Sequence, residues 1–408
     1  GPHSLGYVAH TLALRQGQGS SIQLACGSYI PEAPNFVEVF TSDLDAPQAA
    51  RSLARLPHYF PPTRVRWLSP GPAGSELLVT SGDYLRIWSA DGQLRGMMRH
   101  EANPQDRCTP ITSVDASAEA GAGSGAQLVS CDVYGLCAFW DTERGAMQQA
   151  VDLGQPLSDV AFGPDGLVAV AGERGDCFLV DPRQPHNVEV LASPERVSGP
   201  ARVAWGPRRR DGLFAIAWQG EDCGVALYNG SQRRQAAQQL LRASPGSAVV
   251  ADLQWSPAFP EFLCCAREDG NVEVWEFPED KFGAAGAAAG PCFTWEPKGN
   301  ETCTALALSA EVRPGQHAVV LATATTGQQT SPGQPATALG GSLWMGALPQ
   351  PTGRRGDIGR RGLGIASDVS GAEAPSSAWP ARGLRSEVEG ADGAGLGLGA
   401  ATLVGAAR

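Results

Sequence analysis

The sequence predicts an all-β protein, a seven-bladed β-propeller. Three observations carry that expectation: a hairpin written out between Leu77 and Trp88, strand-closing residues at a nearly regular spacing, and a second strand marker repeated ahead of them. Residues 77–88 read Leu-Leu-Val-Thr-Ser-Gly-Asp-Tyr-Leu-Arg-Ile-Trp. Two apolar strands flank a tight Ser-Gly-Asp turn, which is the pattern of a β-hairpin.

The residues that close the apolar strand of successive units are Phe40, Trp88, Trp140, Val180, Tyr228 and Trp275, with gaps of 48, 52, 40, 48 and 47 residues. Propeller blades of the WD type repeat every ~40–45 residues and absorb loop insertions. Alternating strand sequence precedes each closing residue, as in Val37-Glu38-Val39, Leu85-Arg86-Ile87 and Val272-Glu273-Val274. The second marker is a short strand that often ends in aromatic-small-Pro: Val160-Ala-Phe-Gly-Pro164, Val203-Ala-Trp-Gly-Pro207 and Leu253-Gln-Trp-Ser-Pro257. Val65-Arg66-Trp67 and Val114-Asp115 fill the same slot. Thr11-Leu12-Ala13-Leu14 opens the first unit, and Thr304-Ala-Leu-Ala-Leu308 opens the seventh. Seven small sheets closed into a ring would leave no long exposed edge. A β-sandwich is the competing all-β fold, but it leaves the period unexplained.

Closure of the last blade is the weak point of the pattern, which leaves an incomplete seventh blade open. Its second strand reads Ala318-Val-Val-Leu-Ala322, and Ser342-Leu343-Trp344-Met345 is the candidate third. The few residues before Tyr7 give no sign of an outer strand. In blades of this kind an Asp six places before the closing residue pins the hairpin turn through local hydrogen bonds. Asp222 and Asp269 hold that place as turn-pinning residues; Gly82, Tyr134 and Arg174 hold it elsewhere. Tyr84, Arg86 and Trp88 read as inter-blade packing residues.

Residues 1–345 are therefore read as the propeller. Residues 346–408 form a Gly/Ala/Arg-rich, low-complexity tail. Its few large apolar side chains cannot offset chain entropy, so it is expected to be disordered. Gly353-Arg-Arg-Gly356 and Gly359-Arg-Arg-Gly362 recur within it.

Formal net charge is −11, and the only lysines are Lys281 and Lys298. This argues against direct, phosphate-driven nucleic-acid binding. The ten cysteines form no Cys-x-x-Cys pair, and several fall within apolar strand patterns. They read as reduced core residues and not as metal ligands. No apolar run approaches the ~20 residues that a membrane helix needs. There is no Gly-x-Ser-x-Gly turn, phosphate-binding loop, His-Glu-x-x-His or EF-hand loop. Glu221-Asp222 and Glu268-Asp269 fall at turns, where capping explains them. The expectation is a non-enzymatic, monomeric chain with no cofactor, metal or membrane partner.

Several stretches carry a family likeness. Leu77–Trp88 resembles the Transparent Testa Glabra and anthocyanin-eleven family of WD-repeat proteins, which includes light-regulated WD clock proteins and animal cullin-associated relatives. Ala25-Cys-Gly-Ser-Tyr-Ile30, His58-Tyr-Phe-Pro-Pro-Thr-Arg64 and Cys108-Thr-Pro-Ile-Thr-Ser113 resemble the family in the same order. The likeness is specific over roughly residues 20–140, and from 150 to 325 it is mainly blade pattern. It implies a scaffold for transcription-regulatory or clock complexes in the nucleus and cytoplasm. Its implied partners are helix-loop-helix or MYB-type regulators, a protein kinase, or a cullin-ligase adaptor. The implied alternative function is a substrate receptor of a cullin–RING ubiquitin ligase. Val180-Asp181-Pro182-Arg183 resembles a variant of the Trp-Asp-x-Arg motif by which propellers dock onto that adaptor. The resemblance thus assigns partner binding to Asp181 and Arg183. Trp140-Asp-Thr-Glu-Arg144 carries its Arg one place too late for the motif.

Overall fold

The computed structural model describes residues 3–16, 21–31, 34–43, 46–68, 76–100, 109–117, 127–163, 166–192, 201–206, 213–218, 224–229, 249–257, 259, 261–277, 291–295, 302–313, 316–325 and 340–347. Among them there is no α-helix. The fold is a β-propeller of small antiparallel sheets laid down in chain order. Strand β1 is His3–Leu5. The first blade is β2 (Val8–Gln16), β3 (Ser21–Tyr29), β4 (Asn35–Asp43) and β5 (Ala46–His58). The second is β6 (Arg64–Trp67), β7 (Leu77–Ser81), β8 (Leu85–Ser89) and β9 (Leu94–Met98). The third is β10 (Ile111–Ala116), β11 (Gln127–Asp132), β12 (Leu136–Asp141) and β13 (Ala146–Asp152). The fourth is β14 (Leu157–Phe162), β15 (Val168–Gly172), β16 (Cys177–Val180) and β17 (Glu189–Ala192). The fifth is β18 (Ala201–Trp205), β19 (Leu213–Trp218) and β20 (Gly224–Asn229). The sixth is β21 (Val250–Trp255), β22 (Phe262–Arg267), β23 (Val272–Glu276) and β24 (Phe293–Trp295). The seventh joins β25 (Thr302–Arg313), β26 (Gln316–Thr325) and β27 (Gly340–Ala347) to β1.

Two compact units result. One holds blades one, six and seven; the other runs from His58 through blades two to five. Every closing residue read from the sequence lies on the third strand of its blade: Phe40, Trp88, Trp140, Val180, Tyr228 and Trp275 fall on β4, β8, β12, β16, β20 and β23. The second marker falls on the first strands β6, β10, β14, β18 and β21.

The seventh blade holds four strands. His3, Ser4 and Leu5 of β1 pair with Leu343, Ser342 and Gly341 of β27. The chain's beginning thus supplies the outer strand that the sequence did not announce, because three residues are too few to display a period of two. Among the described residues the sheet of three strands is the fifth. The tail expected over 346–408 lies outside the described residues, apart from the last two positions of β27.

Second strands form the core. β15, β19 and β22 are buried at every position. Such strands read as continuous apolar runs and lose their alternation. The outer strand β13 keeps an alternating, mostly exposed pattern. Between blades three and four, Val129, Cys131, Cys137 and Phe139 pack against Leu157, Val160, Val168 and Val170. In the other unit, Leu12, Ile22, Leu24 and Phe40 pack with Ala305, Ala307 and Leu343. Each large side chain buried in this way stabilises by ~1.5–3 kcal/mol.

Seven of the described free cysteines are buried. Burial pushes the Cys26, Cys131, Cys137, Cys177, Cys264 and Cys265 thiols upward, so they fill space and are not nucleophiles.

Hairpin length decides where glycine is needed. Leu128 faces Trp140, Val168 faces Val180 and Leu263 faces Trp275, so three hairpins have the same length. Each has a positive-φ glycine five places before its closing residue: Gly135 (φ 104), Gly175 (φ 92) and Gly270 (φ 90). In blade two Leu78 faces Trp88, so that hairpin is two residues shorter and has no positive-φ glycine.

Candidate functional site

Buried polar side chains assemble in chains that run to the closing tryptophan, two of them starting from a histidine at or just past the end of the preceding blade's outer strand. In blade three, Trp140 Nε1–H donates to Ser130 Oγ at 2.8 Å. Ser130 Oγ lies 2.7 Å from His100 Nε2, and His100 Nδ1 lies 2.7 Å from Asp132 Oδ2. A carboxylate accepts only, so Nδ1 carries the proton, Nε2 accepts, and the serine hydroxyl donates to it. Asp132 Oδ1 also accepts from the Tyr134 and Leu136 N–H groups, at 2.8 and 3.0 Å. Asp132, rather than the residue six places before Trp140, pins this turn.

Blade two builds the same chain with the opposite tautomer. Trp88 Nε1–H donates to Thr80 Oγ1 at 3.0 Å, and His58 Nε2 lies 2.9 Å from the same oxygen. The third member here is a cation: Arg86 Nη1 approaches His58 Nδ1 at 3.4 Å. Guanidinium only donates, so Nδ1 accepts and Nε2 carries the proton to Thr80. Asp83 holds Arg86, with Nη2 to Oδ2 at 3.0 Å. Arg86 and Trp88 thus share a polar chain with Thr80 of their own blade and with His58 at the end of β5 in blade one; Arg86 also lies beneath the Tyr84 ring at 5.4 Å. In blade six, Trp275 Nε1–H and Arg267 Nη2 both donate to Glu273 Oε2, at 3.1 and 2.8 Å.

The two histidine chains escaped the sequence reading. The signal was a His lying 30 residues before Trp88 and 40 before Trp140, with a hydroxyl residue on the intervening second strand. Counting back from the closing residue alone could not find it, because the hairpins differ in length.

The Ser130–His100–Asp132 array has the connectivity of a nucleophilic triad. It is sealed, however: the His100 and Asp132 side chains are fully buried, and an indole N–H occupies the serine oxygen. A substrate would find no approach to Oγ. Among the described residues, no three His, Cys, Asp or Glu side chains gather as a metal site.

A second set of carboxylates joins neighbouring blades. Asp159 on β14 accepts from Ser113 Oγ on β10 at 2.7 Å and from Val203 N–H on β18 at 3.2 Å. Arg64 on β6 brings Nη2 to 3.4 Å from Asp159 Oδ2. The first strands of four blades thus meet at one carboxylate. Burial pushes the Asp159 pKa up, but the charges of Arg64 and Arg202 and the bonds from Ser113 and Val203 outweigh it and hold the group below its ordinary value. Asp115 repeats the device, accepting from Phe162 N–H at 2.8 Å and pairing with Arg66 at 3.2 Å. In the other unit Asp252 accepts from Leu306 N–H at 3.0 Å. These contacts position blades; other charged pairs sit at the exposed blade ends.

At those ends lie the residues singled out from sequence. Asp181 directly follows the closing residue of blade four. Its Oδ1 accepts from the Arg183 backbone N–H and Nε, at 3.0 and 2.8 Å, and its Oδ2 accepts from Nη2 at 2.9 Å. The pairing is bidentate, and it fixes an arginine whose side chain is 60% exposed. Asp141 follows Trp140 in the same way. It accepts from the N–H groups of Glu143 and Arg144, both at 2.9 Å, with Arg144 Nε 3.6 Å from Oδ2. Arg144 is the looser and more exposed of the two arginines. Asp269 is exposed and accepts from Asn271 N–H and Nδ2, each at 3.0 Å. Asp222 lies outside the described residues.

No protein-family model matches this chain. It is similar to the DDB1- and CUL4-associated factor 7 homolog of Dictyostelium discoideum, with 23% identity over 278 residues, covering 66% of this chain and 82% of that relative.

Proposed function

We propose that the chain is a non-enzymatic scaffold that holds protein partners on its blade ends, one of them the adaptor of a cullin–RING ubiquitin ligase. The observation that carries this reading is the Asp181–Arg183 pair. A guanidinium held along its Nε–Nη2 edge by a carboxylate, in a side chain that stays open to solvent, is ready for charge-assisted contact with little ordering cost. The similar protein is named for association with DDB1 and CUL4, which fits an adaptor contact here. The sealed state of Ser130 supports the non-enzymatic part of the reading.

A scaffold for transcription-regulatory or clock complexes is compatible with it. That reading draws on the family likeness of residues 25–30, 58–64, 77–88 and 108–113, and it requires a second partner surface. The test is affinity capture from native extract with the wild-type chain and Arg183→Ala. Arg183→Ala is expected to lose the ligase adaptor by roughly tenfold or more, as truncation of an interface arginine does. Other partners should remain. Full retention of the adaptor would sink the docking role of Arg183.

A further inference from the structure

The outer strand of blade two carries two exposed large apolar residues, where the outer strands of blades one and four carry one each, Leu53 and Val190. β9 pairs only with β8, so its other side carries main-chain groups with no strand beside them among the described residues. Natural edges of this kind are usually blunted by polar side chains, and the outer strand of blade three follows that rule with Gln148 and Gln149. On β9, by contrast, Leu94 and Met97 are 50% and 56% exposed. Two of the six exposed large apolar residues among those described thus sit on five residues of one edge.

Between them lies Gly96. A Cβ added there would meet nothing within 4 Å, so the backbone can be approached closely. The charges on this strand and just past it are basic, with Asp91 the carboxylate near Arg95 at the turn before it. Arg95 and Arg99 are exposed at and just beyond the strand, in a chain of net charge −11.

From this combination we propose that β9 accepts an additional β-strand from an extended partner segment that alternates acidic and apolar residues. Main-chain bonds along β9 would supply affinity. Leu94 and Met97 would cover the apolar side chains, and Arg95 and Arg99 would select for carboxylates. The surface is separate from the Arg183 turn, so this inference stands or falls without the adaptor reading.

The test uses the full chain and a fluorescein-labelled peptide of about ten residues alternating Glu and Val, with a Lys/Val peptide as control. Fluorescence polarisation should show binding of the Glu/Val peptide alone. Arg95→Glu with Arg99→Glu should weaken it roughly tenfold or more, since like charges then face each other. Met97→Glu should weaken it as well, and the thermal melts of both variants should match wild type because these side chains are exposed. Hydrogen exchange should show new protection in residues 94–98 on binding. Absence of binding, equal binding by the charge-reversed variant, or protection elsewhere would overturn the proposal. So would sedimentation showing that β9 pairs with a second copy of the chain in the absence of peptide.

Discussion

Arg64 and Asp159 lie on first strands two blades apart, yet they meet at 3.4 Å with side chains only 6% and 3% exposed. Ser113, from the blade between them, completes the junction at 2.7 Å. Breaking a buried pair strands a charge and costs ~3–5 kcal/mol. Asp159→Ala should therefore be among the most destabilising single changes in this unit, measured as the urea midpoint. Arg64→Met should cost less, because Asp159 keeps its bonds to Ser113 and Val203. The pH sign follows from the lowered pKa. The contribution of Asp159 is present above its unfolded value of ~3.9 and is lost as pH falls through the lower folded value.

His58 should give acid sensitivity in a higher window. Burial, and after it the charge of Arg86, pull its pKa down to about 3 against the opposing charge of Asp83. The unfolded chain takes up a proton near pH ~6.5, whereas the folded chain keeps the ring neutral. Stability from this site is complete above that value and falls as pH drops toward about 3. The slope approaches ~1.4 kcal/mol per pH unit. Denaturant melts at neutral pH and at successively lower values should show it, and His58→Gln should flatten it. An unchanged slope in His58→Gln would place the acid sensitivity in other groups.

First and third strands were legible in the sequence because they are apolar, β-branched or aromatic, and close on a large residue. Phe40 through Trp275 mark them without exception in the six blades where the series runs. Fourth strands were not, for a physical reason. β13 buries only Val151, so its alternating exposure leaves no alternation of apolar and polar residues in its sequence, and β9 is exposed at Leu94 and Arg95. The polar chains were hidden by distance, since His100 meets a serine 30 residues ahead only once the outer strand of blade two has ended and blade three has begun. Asp181 and Arg183 were singled out only by the likeness of Val180–Arg183 to a docking motif, and their contact spans two residues and needs no fold to bring them together. The junction at Asp159 needed four strands in place before it existed.

Ser130→Ala separates a structural array from a catalytic one. The change leaves Trp140 Nε1 and His100 Nε2 without the oxygen they share. Each stranded buried group costs ~1–3 kcal/mol. A clear drop in the denaturation midpoint is expected, and a fluorophosphonate probe should leave Ser130 of the wild-type chain unlabelled. Labelling at Ser130 would reopen the nucleophile reading.

Gly135 and Gly145 both have positive φ, at 104° and 62°, but their surroundings differ. A Cβ at Gly135 would stand 2.8 Å from the Gln155 carbonyl oxygen and 3.1 Å from its nitrogen. Those atoms belong to backbone at the entry to blade four, so neither can yield as a side-chain tip would. At Gly145 a Cβ would meet nothing within 4 Å. Gly145→Ala should cost only the left-handed penalty of ~1–2 kcal/mol. Gly135→Ala should add a steric cost of ~1–3 kcal/mol and carry it into the neighbouring blade. Paired denaturation curves measure the difference. Equal losses would mean that the loop at Gln155 moves aside freely, and that the blade three turn does not help to seat blade four.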